Sequence, residues 1–420
     1  MAHEIFTVTP AGVAVFPTSP DAAPAGARRL LAGRAYLLPL PSRQGLPAEG
    51  ERDVLDLAGR LARLRDEVAA RFVAREELAQ ATACAMAAGE HLFVLSPPGA
   101  AKSAFLRAFA EGIGGRFFRV VLNPDIPREA VFGAIDPMAL AEGKWRRRWD
   151  GLARAHLALL DEVFKASPQV LNTLLDALEE RRAGQGEDEV VLPLISAMGA
   201  SNEAPEEPEL RAVYDRFLVR LSVGYVQDPT AFRGLLVADA GSSPVSPLMA
   251  AEELMLLAAA VEAMSLQPPA EVVEAMATIW SEMRDHAISD RRWRRSLKVA
   301  TAHALLRGAQ APEVYDLAAL RWTLWVDPQE EKEARDLVLG LTDPLAGKVL
   351  DLEALLADAA RRMAGLGQMK AEEKARLLRE LREIRGEAEG VLPEAGRHAP
   401  RVSAIAEEAQ AMVEKIISSF

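Results

Sequence analysis

The most specific chemistry in this chain lies in one short loop at the head of a helix. Ser96-Pro97-Pro98-Gly99-Ala100-Ala101-Lys102-Ser103 follows an apolar run, Leu92–Leu95, and precedes a helix-period pattern that starts around Ser103. Strand, loop and helix in that order bring backbone N–H groups and a helix N-terminus to one point, an arrangement that cradles phosphate. Lys102 sits at the positive end of the helix dipole, where a cation is unfavourable unless an anion shares the space. A polyphosphate resolves the conflict, with Lys102 on the β/γ oxygens and the Ser103 hydroxyl on Mg²⁺. Pro98, Gly99, Ala100, Ala101 and Ala104 complete the predicted cradle. Against the pattern G-x-x-x-x-G-K-[ST], Ser96 and Ala101 stand at glycine positions. Taken alone, the loop therefore fits an ordinary strand-to-helix turn with a surface lysine equally well.

Residues further along supply what such a loop needs. An apolar strand, His156–Leu160, is closed by Asp161 and Glu162, at the kind of strand end where ligands bind in open parallel sheets. Asp161 suits Mg²⁺ held through water, and Glu162 suits orienting and deprotonating a water; without the loop, the pair would read as an acidic turn. The run Val190–Ser201 predicts a fourth strand ending on Asn202, with Pro193 marking a boundary or bulge. Asn202 is then a turn amide or a group that places water against a γ-phosphate. Arg216 and, second to it, Arg220 fit either surface salt bridges or an arginine finger reaching a neighbour's site. Arg291 and Arg292 occupy the first turn after Ser289, against the dipole, which hints at a nearby anion; pairing with Asp290 or Asp285 is the plain alternative. Phe72 and Val73 would line an adenine pocket or pack a helix joint.

The elements that must position these groups follow from period and caps. Val54, Leu57, Leu61, Leu64 and Val68 mark one helix, and Arg75–Ala88 forms a second that leads into the first strand. Phe117–Leu122 is another strand. Ser167 and Pro168 open a helix with Val170, Leu171, Leu174, Leu175 and Leu178 on one face, and Gly184 ends it. From Ser246 the chain reads as helices: Ser246-Pro247 to about Met264, Pro268-Pro269 to about His286, Ser289 to Gly308, and Pro312 through Trp325. After Pro328 three apolar stripes predict a small antiparallel bundle or arm: Leu352, Leu355, Leu356, Ala359 and Met363; Leu377, Leu378, Leu381 and Ile384; Val402, Ile405, Ala409, Met412, Val413 and Ile416. At the other end EIFTVT, VAVFPT and RAYLLPLP predict short β segments with no chemistry of their own. The expected division is a β-rich extension over 1–46, a nucleotide core over 47–228, a helical lid over 229–328 and C-terminal helices over 329–420.

Composition narrows the class. A chain of 420 residues is too long for one ordinary core. Half its residues are hydrophobic, yet no stretch is apolar enough for membrane insertion, and MAHEIFTVTP lacks the features of an export signal. A cytoplasmic protein is expected. One cysteine, Cys84, excludes an internal disulfide and reads as a buried small hydrophobe in ATACAMAA; the six histidines show no metal-ligand spacing. A net charge of −12 argues against general nucleic-acid affinity. Lys144, Arg146, Arg147 and Arg148 alternate with Trp145 and Trp149, a pattern that could stack on nucleic acid. In an acidic chain, a hairpin touching a neighbouring subunit or a protein substrate suits them better.

With these motifs in order, the chain resembles an AAA+ ATPase over about residues 50–325, and more narrowly the MoxR family and its RavA-type branch. RFVAREEL leads into the helix before the first strand, SPPGAAKS resembles Walker A and LALLDE resembles Walker B. VFKASPQVLNTLLDALEERR is close to the family's next helix; GASNE resembles sensor 1, YDRFLVRL the finger region and SDRRW the sensor 2 helix. The resemblance implies an α/β fold: a P-loop core, a parallel sheet flanked by helices, followed by a helical lid. It also implies ring oligomers, commonly hexamers, with active sites between subunits. Carried onto this chain, Lys102 and Ser103 would hold ATP or ADP phosphates and Mg²⁺, Asp161 the metal and Glu162 the water. Asn202 would be sensor 1, Arg216 the finger with Arg220 second, and Arg291 sensor 2 with Arg292 the adjacent register. A remodelled protein client is implied, and a partner with a von Willebrand factor A domain. Two other readings stay open: a nucleotide-gated scaffold, favoured by Ser96 and opposed by Asp161–Glu162, and a nucleic-acid motor using Lys144–Arg148.

Overall fold

The computed structural model describes residues 3–9, 12–17, 27–31, 34–38, 51–184, 188–205, 207–237, 244–363, 369–395 and 398–418. The chain forms two compact units: Met1–Tyr225 with Ala238–Ala334, and Val226–Val237 with Arg335–Phe420. Among the described residues, no helix is long and apolar enough to cross a membrane.

The first unit opens with β1 (His3–Thr9), β2 (Gly12–Pro17), β3 (Arg28–Leu30) and β4 (Ala35–Leu38), an antiparallel sheet ordered β1-β2-β4-β3. β3 is too short to show a period in the sequence. The predicted β tail at Pro39–Pro41 lies outside the described residues. Helices α1 (Val54–Arg71) and α2 (Glu76–Ala88) lead to β5 (His91–Leu95), α3 (Lys102–Gly112) and β6 (Phe117–Val121). Two short helices, α4 (Arg128–Phe132) and α5 (Pro137–Ala141), precede β7 (Leu157–Asp161) and α6 (Pro168–Glu179). Then come β8 (Arg182–Ala183), β9 (Val190–Val191), β10 (Ser196–Ser201), α7 (Pro208–Tyr214) and β11 (Phe217–Ser222).

Five of these strands build the parallel sheet that carries the unit, ordered β11-β5-β10-β7-β6. Successive side chains leave a strand on opposite faces, and the core divides accordingly. Leu92, Val94, Leu159 and Met198 join α1, α2 and α3 in one cluster. Phe93, Ala158, Leu160 and Ala197 join α6 in the other. Gly199 lets the Phe217 ring lie against β10: a Cβ there would come within 2.6 Å of it. Cys84 is buried in the first cluster, and burial pushes its thiol up to about 12.

The structure divides three stretches differently from, or more finely than, the sequence reading. The run Val190–Ser201 is not one strand. Pro193 splits it, β9 pairs antiparallel with β8, and the sheet strand begins at Ser196. Residues 185–187, just before β9, lie outside the described residues. Leu210–Leu221 divides into the end of α7 and β11, a strand masked in the sequence by Arg220 amid apolar residues. Ser246-Pro247 does not open a helix, because the Leu248 N–H donates to the Gly112 carbonyl (2.8 Å) and holds the segment extended on the end of α3.

The chain passes through α8 (Pro229–Val237) of the second unit and returns to the first for three helices, α9 (Ala251–Met264), α10 (Ala270–Glu282) and α11 (Asp290–Leu306). At α9 the Glu253 carboxylate accepts from the Ala250 N–H (3.0 Å), closing the start of the helix. Ala258, Ala259 and Ala263 of this helix pack on Ala14, Leu30 and Ala35 of the N-terminal sheet. Ser289 does cap α11, accepting from the Arg292 N–H. The element after Pro312 is a 3₁₀ helix, Val314–Trp322, rather than an α-helix.

The second unit takes in most of α12 (Glu331–Thr342), then α13 (Pro344–Met363), α14 (Ala371–Val391) and α15 (Ala399–Ile417). Leu352, Leu356, Leu377, Leu381, Val402, Ile405 and Val413 share its core. Leu355, expected in that stripe, is 54% exposed.

Candidate functional site

Register brings the phosphate loop and the acidic pair to one edge of the parallel sheet. Ser201 pairs with Leu95 and Ala200 with Asp161, so the ends of β5, β10 and β7 lie side by side. The Ser96 N–H donates to the Ser201 carbonyl (2.9 Å), tying the loop entrance to the strand that ends before Asn202. Asn202 is exposed just beyond that edge.

The loop then turns through two left-handed residues, Gly99 (φ 82°) and Ala101 (φ 59°), before α3 begins at Lys102. Such changes of backbone hand let successive N–H groups face one concavity. Ala101 adopts this conformation with a Cβ, at a cost on the order of 1 kcal/mol. A Cβ built on Gly99 would meet nothing within 4 Å, so the space over the loop is open. Glu162 is also left-handed (φ 55°), a second strained position on the same edge.

Lys102 lies largely buried with Nζ 3.6 Å from Asp161 Oδ1, and Arg119 Nη2 is 3.9 Å from Oδ2. Lys165 Nζ is 3.1 Å from Glu162 Oε2. Two cations and a carboxylate thus surround the head of α3, with Ser103 half-buried in its first turn. Lys102, Ser103 and Asp161 are an ammonium, a hydroxyl and a carboxylate of the kinds that suit a magnesium-bound polyphosphate, and the loop is open above Gly99. Of the loop residues, Ala100 is buried while Pro98, Gly99 and Ala104 are exposed. Phe72 packs edge-on against Phe105 (centroids 5.4 Å apart), and Val73 beside it is half-buried.

The four arginines singled out in the sequence gather elsewhere. Arg216 Nε lies 3.1 Å from Glu179 Oε2, and Arg291 bonds the other oxygen of the same carboxylate. Glu179 ends α6, and Arg216 immediately precedes β11, so both mark the N-terminal edge of the sheet. A five-residue strand separates the two edges by about 15 Å. Within one chain these arginines do not meet Lys102.

Two of them also differ from the sequence expectation in kind. Arg292 is 3% exposed and donates to the carbonyls of Thr323 (2.5 Å), Leu218 (2.7 Å) and Phe217 (3.3 Å) and to Asp215 (3.2 Å). Arg220 is 1% exposed, donates to the carbonyls of Trp325 (2.8 Å), Tyr214 (3.0 Å) and Phe217 (3.2 Å), and lies over the Tyr214 ring. Burial depresses both guanidiniums below their ordinary range, and Arg220 lowers Arg292 further. Each fastens β11 to the residues after α11. Arg291, with a side chain 44% exposed, and Arg216 are the two with access to solvent.

Three participants carried no sequence argument. Arg119 is an arginine inside the apolar run FFRVV, the kind of break that can mark a functional strand residue. Tyr225 donates its hydroxyl to the Pro98 carbonyl (2.9 Å), holding the loop from a residue far along the chain. Glu179, which joins Arg216 to Arg291, read only as one polar residue at a helix end.

Residues 59–257 match the profile described as the MoxR domain in MoxR-vWA-beta-propeller ternary systems, and residues 271–338 match an AAA lid domain. An uncharacterized protein of Methanocaldococcus jannaschii is 31% identical over 300 residues, 70% of this chain and 78% of that one. Chaperone MoxR1 of Mycobacterium tuberculosis is 28% identical over 166 residues, 38% of this chain and 43% of its own. The crystal structure of a candidate ATPase from Cytophaga hutchinsonii superposes with a TM-score of 0.54 at 18% identity, covering 69% of this chain and 94% of that one; at this identity the likeness speaks for the fold. The parallel sheet, the phosphate loop at its edge and these matches together identify the chain as a member of the MoxR family of AAA+ ATPases.

Proposed function

We propose that the chain is a cytoplasmic, Mg²⁺-dependent ATPase whose subunits assemble into a hexameric ring, and whose ATP cycle remodels a bound protein. The observation that carries this reading is Lys102 set against Asp161 at the head of α3, under a loop with two left-handed residues. Bound Mg²⁺ supplies charge neutralisation across the β- and γ-phosphates. The chain's own groups do the rest. Lys102 would exchange Asp161 for phosphate oxygens, the Ser103 hydroxyl and Asp161 would hold the metal, Glu162 would accept a proton from water and Asn202 would orient that water. Phe72 and Val73 would flank the adenine. In this reading residues 47–228 form the nucleotide core and the helices after them the lid.

The far-edge arginines support assembly. Arg216 and Arg291 share Glu179 on the edge away from their own loop, where a finger and a sensor 2 group can serve an adjacent subunit's phosphate. The description of the matching family supports a partner with a von Willebrand factor A domain. The wording of Val163–Arg182 supports placement near the RavA-type branch. A nucleic-acid track is disfavoured, because Lys144, Arg147 and Arg148 lie against Glu142, Glu129 and Asp136. A scaffold with little turnover is the competing reading, and Ser96 favours it: its hydroxyl is buried without a hydrogen-bond partner at the loop entrance.

Steady-state phosphate release separates the two. Wild type should exceed Glu162→Gln by about a hundredfold or more, with ATP binding retained in the variant. Equal rates near background would replace the remodelling ATPase with the scaffold.

A further inference from the structure

A polar cavity of about 550 Å³ opens at the N-terminal edge of the parallel sheet, on the side away from Lys102. It is walled by the N-terminal sheet, the start of β5, the end of α6 and one face of α11. Six cations line it: Arg34, Arg181, Arg291, Arg294, Arg295 and Lys298. Four carboxylates line it as well: Asp290 is exposed at the head of α11, and the other three are committed. Glu90 takes both Arg295 and Lys298, and Glu179 takes Arg291. Glu262 accepts from the Leu31 N–H (3.2 Å) and lies 3.8 Å from Lys298.

Among the described residues, Arg34, Arg181 and Arg294 have no carboxylate within 4.0 Å. Arg294 is exposed, but Arg34 and Arg181 are only 8% and 5% exposed. Their hydrogen bonds go to neutral groups instead. Arg34 donates to the carbonyls of Leu194 (2.7 Å) and Leu31 (3.1 Å), and Arg181 to those of Gly89 (2.9 Å) and Leu178. Carbonyl dipoles satisfy the N–H groups but do not cancel the charge, and buried charges are normally paired. Burial and then the charge of Arg34 hold the Arg181 guanidinium well below its usual range; burial takes Arg34 down to about 10. Arg181 also holds a left-handed backbone (φ 56°) that a long side chain rarely adopts. Two buried guanidiniums beside this cavity have only the more distant charges of Glu90 and Glu262 to offset them, and neither holds a carboxylate of its own.

We propose that this cavity is a second anion site, taking a compact phosphate-class polyanion on Arg34 and Arg181 from within and Arg294 at the mouth. The site lies apart from the loop at Lys102 and stands whether or not that loop binds ATP. Because its walls come from the N-terminal sheet, the core and α11, an occupant ties the three together.

The test is calorimetry with inorganic pyrophosphate on the full-length chain carrying Lys102→Ala, which removes the loop lysine from the measurement. Saturable binding is expected, weakened about tenfold or more by adding Arg294→Ala and abolished by adding Arg181→Met. Wild-type and Arg181→Met melting curves supply a second readout. Arg181→Met removes the donor to the Gly89 and Leu178 carbonyls along with the charge, so its own melting temperature in phosphate-free buffer is the baseline, and pyrophosphate should raise the wild-type temperature but not this one. No binding to the Lys102→Ala protein overturns the proposal, as does binding indifferent to Arg294→Ala. Should Arg181→Met fail to fold, the exposed Arg294 decides the matter alone.

Discussion

Asp161→Asn should have opposite effects on ATP affinity with and without magnesium. The carboxylate sits 3.6 Å from Lys102 and 3.9 Å from Arg119. Two unit charges about 4 Å apart interact by about 4 kcal/mol at an effective dielectric near 20. A phosphate arriving at Lys102 meets the same carboxylate with the sign reversed. Asp161 keeps 18% of its side chain in solvent, and both groups can relax, so only part of that repulsion survives. Retaining about 1.4 kcal/mol makes ATP bind about tenfold tighter to Asp161→Asn than to wild type when metal is chelated. Excess Mg²⁺ should reverse the order, because wild type alone keeps the carboxylate that faces the cation. Calorimetric titration of ATP in EDTA and in magnesium, at one ionic strength, reads both halves. A variant that binds more weakly in both buffers, or equally in both, refutes the placement of a phosphate beside Asp161.

Arg216→Ala should bind ATP normally yet lose turnover, and mixing it with Lys102→Ala subunits should restore part of the activity; failure of mixed rings to recover any counts against a site shared between subunits. Arg292→Ala should destabilise the first unit by about 2–4 kcal/mol in urea denaturation, since three backbone carbonyls and Asp215 lose their donor, whereas a loss of ATP affinity with unchanged stability would restore it to the site. Glu90 gives a pH signature. Burial alone would raise its carboxyl, but Arg295 and Lys298 outweigh that and hold it well below the usual range. A depressed folded-state pKa contributes stability that is fully present above the unfolded value near 4.3 and is lost as pH falls toward the folded one. The stability gap between wild type and Glu90→Gln should therefore be full at neutral pH and close below about pH 4, and a gap unchanged by acid would exclude the ion-pair explanation.

The nucleotide edge was legible because its rules are local. A strand that ends in Asp161-Glu162, another that ends before Asn202, and a loop with Lys102 must share an edge once the strands are parallel, and the pairing of Ala200 with Asp161 realises this. The arginines were not legible for the converse reason. Arg216 and Arg291 meet only because the end of α6 sets Glu179 between the start of β11 and the first turn of α11, and no spacing in the sequence records where a helix stops in space. Arg220 hid a strand because its charge breaks the apolar run of β11. The groups that receive it are the carbonyls of Tyr214 and Trp325, the second of them far along the chain. Ser246-Pro247 misled for a simpler reason: a good capping pair starts a helix only when its following N–H groups are free, and that of Leu248 is already bonded to Gly112.

In the proposed ring, strand polarity would leave a solitary copy with an incomplete site, since Arg216 and Arg291 lie on the edge opposite their own Lys102. Catalytic output would then depend on encounter rather than on folding alone. Specific activity should climb with protein concentration and collapse on dilution, so the abundance of the polypeptide itself acts as a threshold for work.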